Sequence, residues 1–149
     1  MQYTTFGATG LTVPRLCLGT ATSGHQADEA VAHQIMDTAA ESGVTFFDSA
    51  DIYPMGAEVG RTEEIVGRWL QGKRDQIILT TKAGGPVGPA RWQRGASRKH
   101  LLDAVDGSLR RLGTDYIDIY QLHFDDADTP LDETLATLDA IVIAGKARY

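Results

Sequence analysis

Apolar residues along this chain switch between short continuous runs and the three-and-four spacing of a helix, and the switches alternate. Tyr3 to Phe6 and Leu11 to Val13 flank Gly7-Ala8-Thr9-Gly10, which predicts a hairpin with a glycine-bearing turn. Arg15 to Leu18 predicts the first core strand, closed by Gly19. Asp28 stands as an N-cap, Val31, Ile35 and Ala39 repeat at helical spacing, and Gly43 follows as the C-terminal glycine. Val44 to Asp48 is the second strand. Thr62-Glu63-Glu64 suits a helix start, and Ile65, Val66, Trp69 and Leu70 form its stripe before Gly72. Ile77 to Lys82 is the third strand.

A long loop with glycine and proline, Ala83 to Ala96, comes next; loops of that length inside compact domains tend to carry function. Ser97 then caps a helix whose face is Leu101, Leu102, Val105, Leu109 and Leu112, with Arg110 and Arg111 in the last turn and Gly113 after it. Tyr116 to His123 is the fourth strand. Thr129 is the expected cap of the last helix, with Pro130 at its first position and a stripe of Leu131, Leu135, Leu138 and Val142 reaching Gly145. Ala147-Arg148-Tyr149 begins a further segment. A hairpin followed by four strand–helix units predicts a parallel α/β fold, either an open doubly wound sheet or part of a barrel. No Gly-x-Gly-x-x-Gly follows the first strand and no Walker A sequence occurs, so neither dinucleotide fingerprint nor P-loop is expected.

Composition narrows the partners. The 149 residues suffice for one domain with a real core, and 42% hydrophobic with 23% charged residues is ordinary for a globular protein. A net charge of −6 argues against non-specific binding to nucleic acid or an anionic membrane, while a few local cations or backbone N–H groups can still hold an anionic cofactor. The longest apolar run, Ala140 to Ala144, is far short of the about 20 residues a membrane span needs. Met1-Gln2-Tyr3-Thr4-Thr5 shows no basic or apolar leader region, so no signal peptide is expected. The single cysteine, Cys17, lies in a segment read as a buried strand and is expected to be a small core hydrophobe; a cytoplasmic, reducing compartment fits. His25, His33, His100 and His123 are scattered, so no metal site is expected.

The chemistry-bearing residues sit at strand ends. Phe46-Phe47-Asp48 leads into Tyr53, Ile77 to Thr81 runs into Lys82, and Ile117 to Leu122 runs into His123. In parallel α/β folds chemistry collects at the carboxyl ends of the strands. Each residue alone has a bland alternative: Asp48 as a turn cap, Tyr53 as a packed loop aromatic, Lys82 as a solvated charge, His123 as a core histidine. Together on one rim they form a proton-delivery set. Gly19-Thr20 marks either a plain turn or a backbone approach to a cofactor. Arg91, Arg94, Arg98 and Lys99 cluster around the long loop, either attracting an anionic ligand or forming a solvated basic rim. Trp69 is expected in the core, and Trp92 is placed to line a substrate pocket or cover the mouth of the site.

Several motifs in this order resemble the aldo-keto reductase family: Gly43-Val44-Thr45-Phe46-Phe47-Asp48-Ser49-Ala50-Asp51-Ile52-Tyr53, Thr81-Lys82, Ser108 to His123, and Gly145-Lys146-Ala147-Arg148-Tyr149. The resemblance covers nearly the whole chain. It implies a (β/α)8 TIM-barrel type fold, of which residues 1–149 supply the amino-terminal hairpin and the first four βα units; a full barrel is typically about 250 residues. It implies reduction of aldehydes and ketones with NADPH and without a metal. Tyr53 is then the proton donor, Lys82 and Asp48 its supporting pair, His123 the residue that orients the carbonyl, and Gly19, Thr20 and Asp48 the contacts at the nicotinamide end. An ammonium beside a tyrosine favours the tyrosinate and lowers a pKa that is otherwise near ~10. The family's remaining cofactor-binding segments lie beyond the fifth strand.

Two departures fall in the substrate loops: Pro54-Met55 follows Tyr53 where glycine is commoner, and Phe124-Asp125-Asp126 follows His123. The alternative function is a non-catalytic half-barrel that closes by pairing with a second copy or a missing carboxyl-terminal half, since four parallel strands leave two open edges. A cofactor-sensing channel subunit, a role some relatives play, has no specific support in these residues.

Overall fold

A computed structural model describes residues 1–149 throughout. The hairpin forms as expected: β1 (Tyr3–Thr5) pairs antiparallel with β2 (Thr12–Pro14). A second sheet contains β3 (Leu18–Gly19), β4 (Phe46–Asp48), β5 (Ile78–Ala83) and β6 (Ile119–Leu122), parallel and in sequential order. Helices α1 (Glu29–Glu41), α2 (Arg61–Trp69), α3 (Arg98–Leu112) and α4 (Leu131–Ile143) follow the four parallel strands in turn, with a 3₁₀ turn at Arg74–Gln76. The first core strand is displaced as well as shorter than its pattern suggested: it shares only Leu18 with the expected Arg15 to Leu18 segment and includes Gly19, while Arg15, Leu16 and Cys17 lie before it and are exposed. Beside β6, Lys146 to Tyr149 continues the sheet in the same sense: the N–H groups of Ile117 and Tyr120 donate to Lys146 and Tyr149 carbonyls, and Arg148 and Tyr149 donate to Ile117 and Asp118.

The local signals explain the helix ends. The Asp28 carboxylate accepts the Val31 N–H at 2.9 Å, and Gly43 leaves α1 at φ 83°. Ser97 caps α3, and Gly113 ends it in the left-handed region at φ 63°. The start of α2 comes from Gly60 at φ 85°, not from Thr62, whose hydroxyl is buried and donates to the Ser23 carbonyl. Thr129 does not cap α4: its hydroxyl donates to Asp126 Oδ2 at 2.7 Å, and Pro130 precedes the helix without a side-chain bond.

The core lies between the sheet and the helices, with Phe47, Leu79, Ile117, Met36, Ile65, Leu101, Val105 and Leu112 fully enclosed and Trp69 stacked on Phe47 at 5.0 Å. The stripe of α2 is buried as expected; on α3 Leu101, Val105 and Leu112 are buried, with Leu102 and Leu109 only partly so. The stripes of the outer helices are not buried. On α1 the buried residues are Ala32 and Met36, while Val31 and Ile35 are exposed; on α4 Leu131, Leu135 and Val142 are exposed and Ile141 is the buried apolar residue. The physical reason is position: α1 and α4 flank the sheet's two edges and have a neighbouring helix on one side only. Cys17 is also corrected, being exposed rather than core.

Candidate active site

The parallel register builds the site. Gly19 pairs with Asp48, Asp48 with Thr80, and Lys82 with Gln121, so these residues share the sheet face opposite the helices, while Phe47, Leu79 and Thr81 point back toward α2. Lys82 lies two residues beyond Thr80, and its Nζ donates to Asp48 Oδ2 and to the Ser49 carbonyl, both at 2.7 Å. The ammonium also lies 5.0 Å from the centre of the Tyr53 ring. Tyr53 Oη is 3.5 Å from His123 Nε2, and their rings meet edge to face at 5.4 Å. Phe124 stacks on the other side of His123, centroids 4.5 Å apart. The four residues expected to act together therefore converge from three strands: Asp48 and Tyr53 from β4 and the loop after it, Lys82 from β5, and His123 from just past β6.

Electrostatics follow from that packing. Desolvation holds the His123 imidazole below its ordinary pKa, the Lys82 ammonium adds to this, and Asp48 opposes it; His123 is accordingly a neutral ring near pH 7. Partial burial of the Cys17 thiol, and after it the Asp48 carboxylate, push that group up to about 11, so Cys17 borders the site as a protonated thiol rather than a nucleophile. Gly19 is open, with no atom within 4 Å of where a Cβ would stand. Thr20 is different: it is buried, and both its N–H and hydroxyl donate to the Asp48 carbonyl at 2.9 Å, so it anchors Asp48 and presents no free hydroxyl.

A buried polar layer behind the four residues has no counterpart in the sequence reading. Glu63, fully enclosed in α2, accepts from Arg111 Nη2 at 2.7 Å and from the Thr81 hydroxyl at 2.6 Å. Asp51, also fully enclosed, has neither carboxyl oxygen bonded; burial, then the Glu63 charge, push it up to about 7 against the pull of Arg111. The Tyr120 hydroxyl is unpartnered as well and is raised by the same burial. Glu63 and Arg111 resemble an ordinary first-turn acid and last-turn base in sequence; only their sequence separation of 48 residues closed by the fold pairs them. Asp51 had a weak signal, as a carboxylate between Asp48 and Tyr53.

A cavity of about 570 Å³ lies between the Gly84–Ser97 loop and the segment after His123, lined by Trp92 and Phe124 among others but by none of the four residues. The larger surface groove, about 1020 Å³ around Arg74, Asp106 and Tyr116, contains none of them either. No group of three His, Cys, Asp or Glu side chains gathers in metal-binding geometry, and no helix is long and apolar enough to cross a membrane.

Parallel βα units with titratable residues converging at the strand ends define a parallel α/β scaffold with a candidate catalytic centre on one rim. The chain belongs to the aldo/keto reductase family, whose family model matches residues 15–149. It is 43% identical to the uncharacterized oxidoreductase YrpG of Bacillus subtilis, 40% to the L-glyceraldehyde 3-phosphate reductase of Escherichia coli and 39% to a probable voltage-gated potassium channel subunit beta of Arabidopsis thaliana. Each match covers 100% of this chain but 48%, 44% and 45% of those relatives. The chain thus spans about half the length of the curated relatives it matches. The family implies a TIM barrel, of which the chain displays the parallel four-stranded part, and it generally uses a nicotinamide cofactor.

Proposed function

We propose that residues 1–149 form the amino-terminal half of an eight-unit barrel and carry the acid–base centre of an NADPH-dependent reductase of aldehydes and ketones. The observation that carries this reading is the convergence of Asp48, Tyr53, Lys82 and His123 through the 2.7 Å ion pair and the 3.5 Å Tyr53–His123 approach. Gly19 and Asp48 fit the nicotinamide end, because Gly19 leaves open space beside its register partner and Asp48 is fixed through its own carbonyl by Thr20. When bound, the cofactor supplies hydride to the carbonyl carbon.

The chain's own residues supply the rest. Tyr53 Oη gives its proton to the carbonyl oxygen as negative charge develops there, and the Lys82 ammonium stabilises the phenolate left behind. Asp48 and the Ser49 carbonyl hold Lys82 in place. His123, neutral, donates from Nε2 to the same oxygen and sets its angle, with Phe124 fixing the ring plane. Tyr53→Phe tests the reading: reduction of a simple aldehyde with NADPH is expected to fall by roughly 10²–10⁴ with unchanged circular dichroism. Undiminished turnover would overturn it.

A second reading is favoured by a specific observation, the exposed apolar stripes on α1 and α4 at the two edges of the sheet. Through these the chain packs on a second copy or another polypeptide. Sedimentation as a stable monomer at high concentration would remove this reading.

A further inference from the structure

We propose that a second cavity, flanked by α3, the loop before α2 and the loop after β5, binds a small amidinium or guanidinium cation held by Asp51 and His100. None of the four residues at the strand ends lines it, and the site stands whether or not the reductase reading does.

The cavity has a volume of about 290 Å³, small for a ligand pocket but ample for one planar head group. Two polar side chains in its wall are left without partners by the fold. Asp51 is 0% exposed and His100 2%, yet neither Asp51 oxygen makes a hydrogen bond, nor does His100 Nε2. Buried polar atoms are ordinarily paired, so two such orphans lining one cavity mark a place where a ligand supplies the bonds. Their positions are fixed without it. The Asp51 N–H donates to the Lys82 carbonyl at 3.0 Å, and His100 stands in the first turn of α3, which Ser97 caps. The loop wall is fixed too: the Val87 N–H donates to the Gln93 carbonyl and Gln93 Oε1 accepts from the Ala90 N–H, both at 3.0 Å. Walls set in advance spare a ligand the cost of ordering them.

The orphan atoms select a donor, and the surrounding charges select a cation. An ionised carboxylate only accepts, and burial keeps the His100 ring below its ordinary pKa, so it is neutral and Nε2 can present a lone pair. At Asp51 the Glu63 charge outweighs the pull of Arg111, which is tied to Glu63 itself at 2.7 Å. Asp103 adds a further carboxylate to the lining, paired with Lys99 outside it. Arg110 has no carboxylate within ion-pair distance but is exposed, so water screens it. An anion would bring like charge against the enclosed Asp51, and an apolar molecule would leave both orphans unpaired. A planar amidinium or guanidinium presents two parallel N–H groups that match both carboxylate oxygens at once, with further N–H groups for the imidazole. Val59, Val87 and Ala104 in the same wall suit a hydrocarbon attached to that head group.

Benzamidine, benzamide and benzoate test the assignment, having nearly one shape and different charges. At pH 8 Asp51, with its pKa raised to about 7, is largely ionised. Calorimetry on the chain is then expected to show one saturable benzamidine site with a dissociation constant on the order of 1 mM. Backbone amide NMR shifts are expected to centre on Asp51, Ala104 and Gly107. Asp51→Asn, which keeps the volume, is expected to weaken binding at least roughly tenfold, and His100→Leu roughly threefold. Benzamide and benzoate are expected to bind at least roughly tenfold more weakly than benzamidine. Benzoate as tight as benzamidine would give the cavity to an anion at the arginines, and benzamide as tight would make charge irrelevant; either result overturns the proposal. So would the absence of saturation, shifts centred outside the cavity, or unchanged affinity in Asp51→Asn. The comparison of the three probes on the unaltered chain decides the matter even where a variant unfolds.

Discussion

Lys82 and Asp48, 2.7 Å apart, meet because of register: Asp48 pairs with Thr80, which leaves Lys82 one pleat further along the same face of the adjacent strand. Both side chains are largely withdrawn from water, at 13% and 29% exposure. Lys82→Met therefore leaves a half-buried carboxylate without its cation and removes the charge beside Tyr53. Aldehyde reduction is expected to fall at least roughly 10²-fold, with a loss of about 1–3 kcal/mol in stability. Parallel urea titrations and steady-state assays check this. Wild-type rates in Lys82→Met would show that the ion pair is structural only.

His123 gives a pH signature. Its folded pKa lies below the ordinary histidine value because of desolvation and the Lys82 ammonium. A depressed pKa contributes stability that is present above the unfolded value, near ~6.5, and is lost as pH falls through the folded value. His123→Gln is expected to flatten the decline in Tm on the acid side of pH 6.5 while leaving Tm near pH 8 little changed. His100, also depressed by burial, contributes in the same direction and serves as the comparison variant. An acid limb equally steep in His123→Gln would contradict the assignment.

Asp51 acts in the opposite sense. Its folded pKa is raised to about 7, so the stability it contributes is fully present below the unfolded value near ~3.9 and is lost as pH rises through 7. Asp51→Asn, which keeps the shape and removes the ionisation, is expected to be more stable than wild type at pH 8, by up to about 4 kcal/mol, with the advantage vanishing near pH 4. Denaturant unfolding at the two pH values measures it. A pH-independent difference between the two proteins would refute the cause given.

The Glu63–Arg111 pair holds α2 to α3. Glu63 is wholly enclosed, so Arg111→Met leaves a buried charge without compensation, and a loss of about 3–5 kcal/mol is expected. Glu63→Gln in the Arg111→Met background should recover part of that loss. Failure of the second substitution to restore any stability would mean that Arg111 acts by packing alone.

Gly67 marks the same interface. A methyl group there would collide with the Arg111 carbonyl, which is backbone and cannot swing aside. Gly67→Ala is expected to lower stability by about 1–3 kcal/mol despite alanine's better helix propensity. Thermal unfolding at neutral pH decides it, and a rise in Tm would show that the helices separate easily.

The order of the elements was legible because each carries a local signal. Asp28 and Ser97 cap their helices through their own side chains, and Gly43 and Gly113 end them in a conformation that other residues resist. The candidate site was legible for a related reason: Asp48, Lys82 and His123 each stand at the end of an apolar run, and a parallel sheet places such ends on one rim. Burial on the outer helices was less legible. Val31 and Ile35 fit a helical stripe as well as Ile65 and Val66 do, yet periodicity records only that a face is apolar, not whether anything covers it.

The amino-acid sequence by itself determined the alternation of strands and helices, the family, and the placement of Asp48, Lys82 and His123 at strand ends with Tyr53 in the loop after Asp48, since all of these follow from near-neighbour pattern and linear order. Only the tertiary structure decided that Thr20 anchors Asp48, that Thr129 serves Asp126 rather than a helix, and that Glu63 finds Arg111 48 residues away beside an unbonded Asp51. Those pairings depend on distances across the fold. A side chain's partner is chosen by which donor or acceptor remains free once the backbone is packed, and no local pattern encodes that choice.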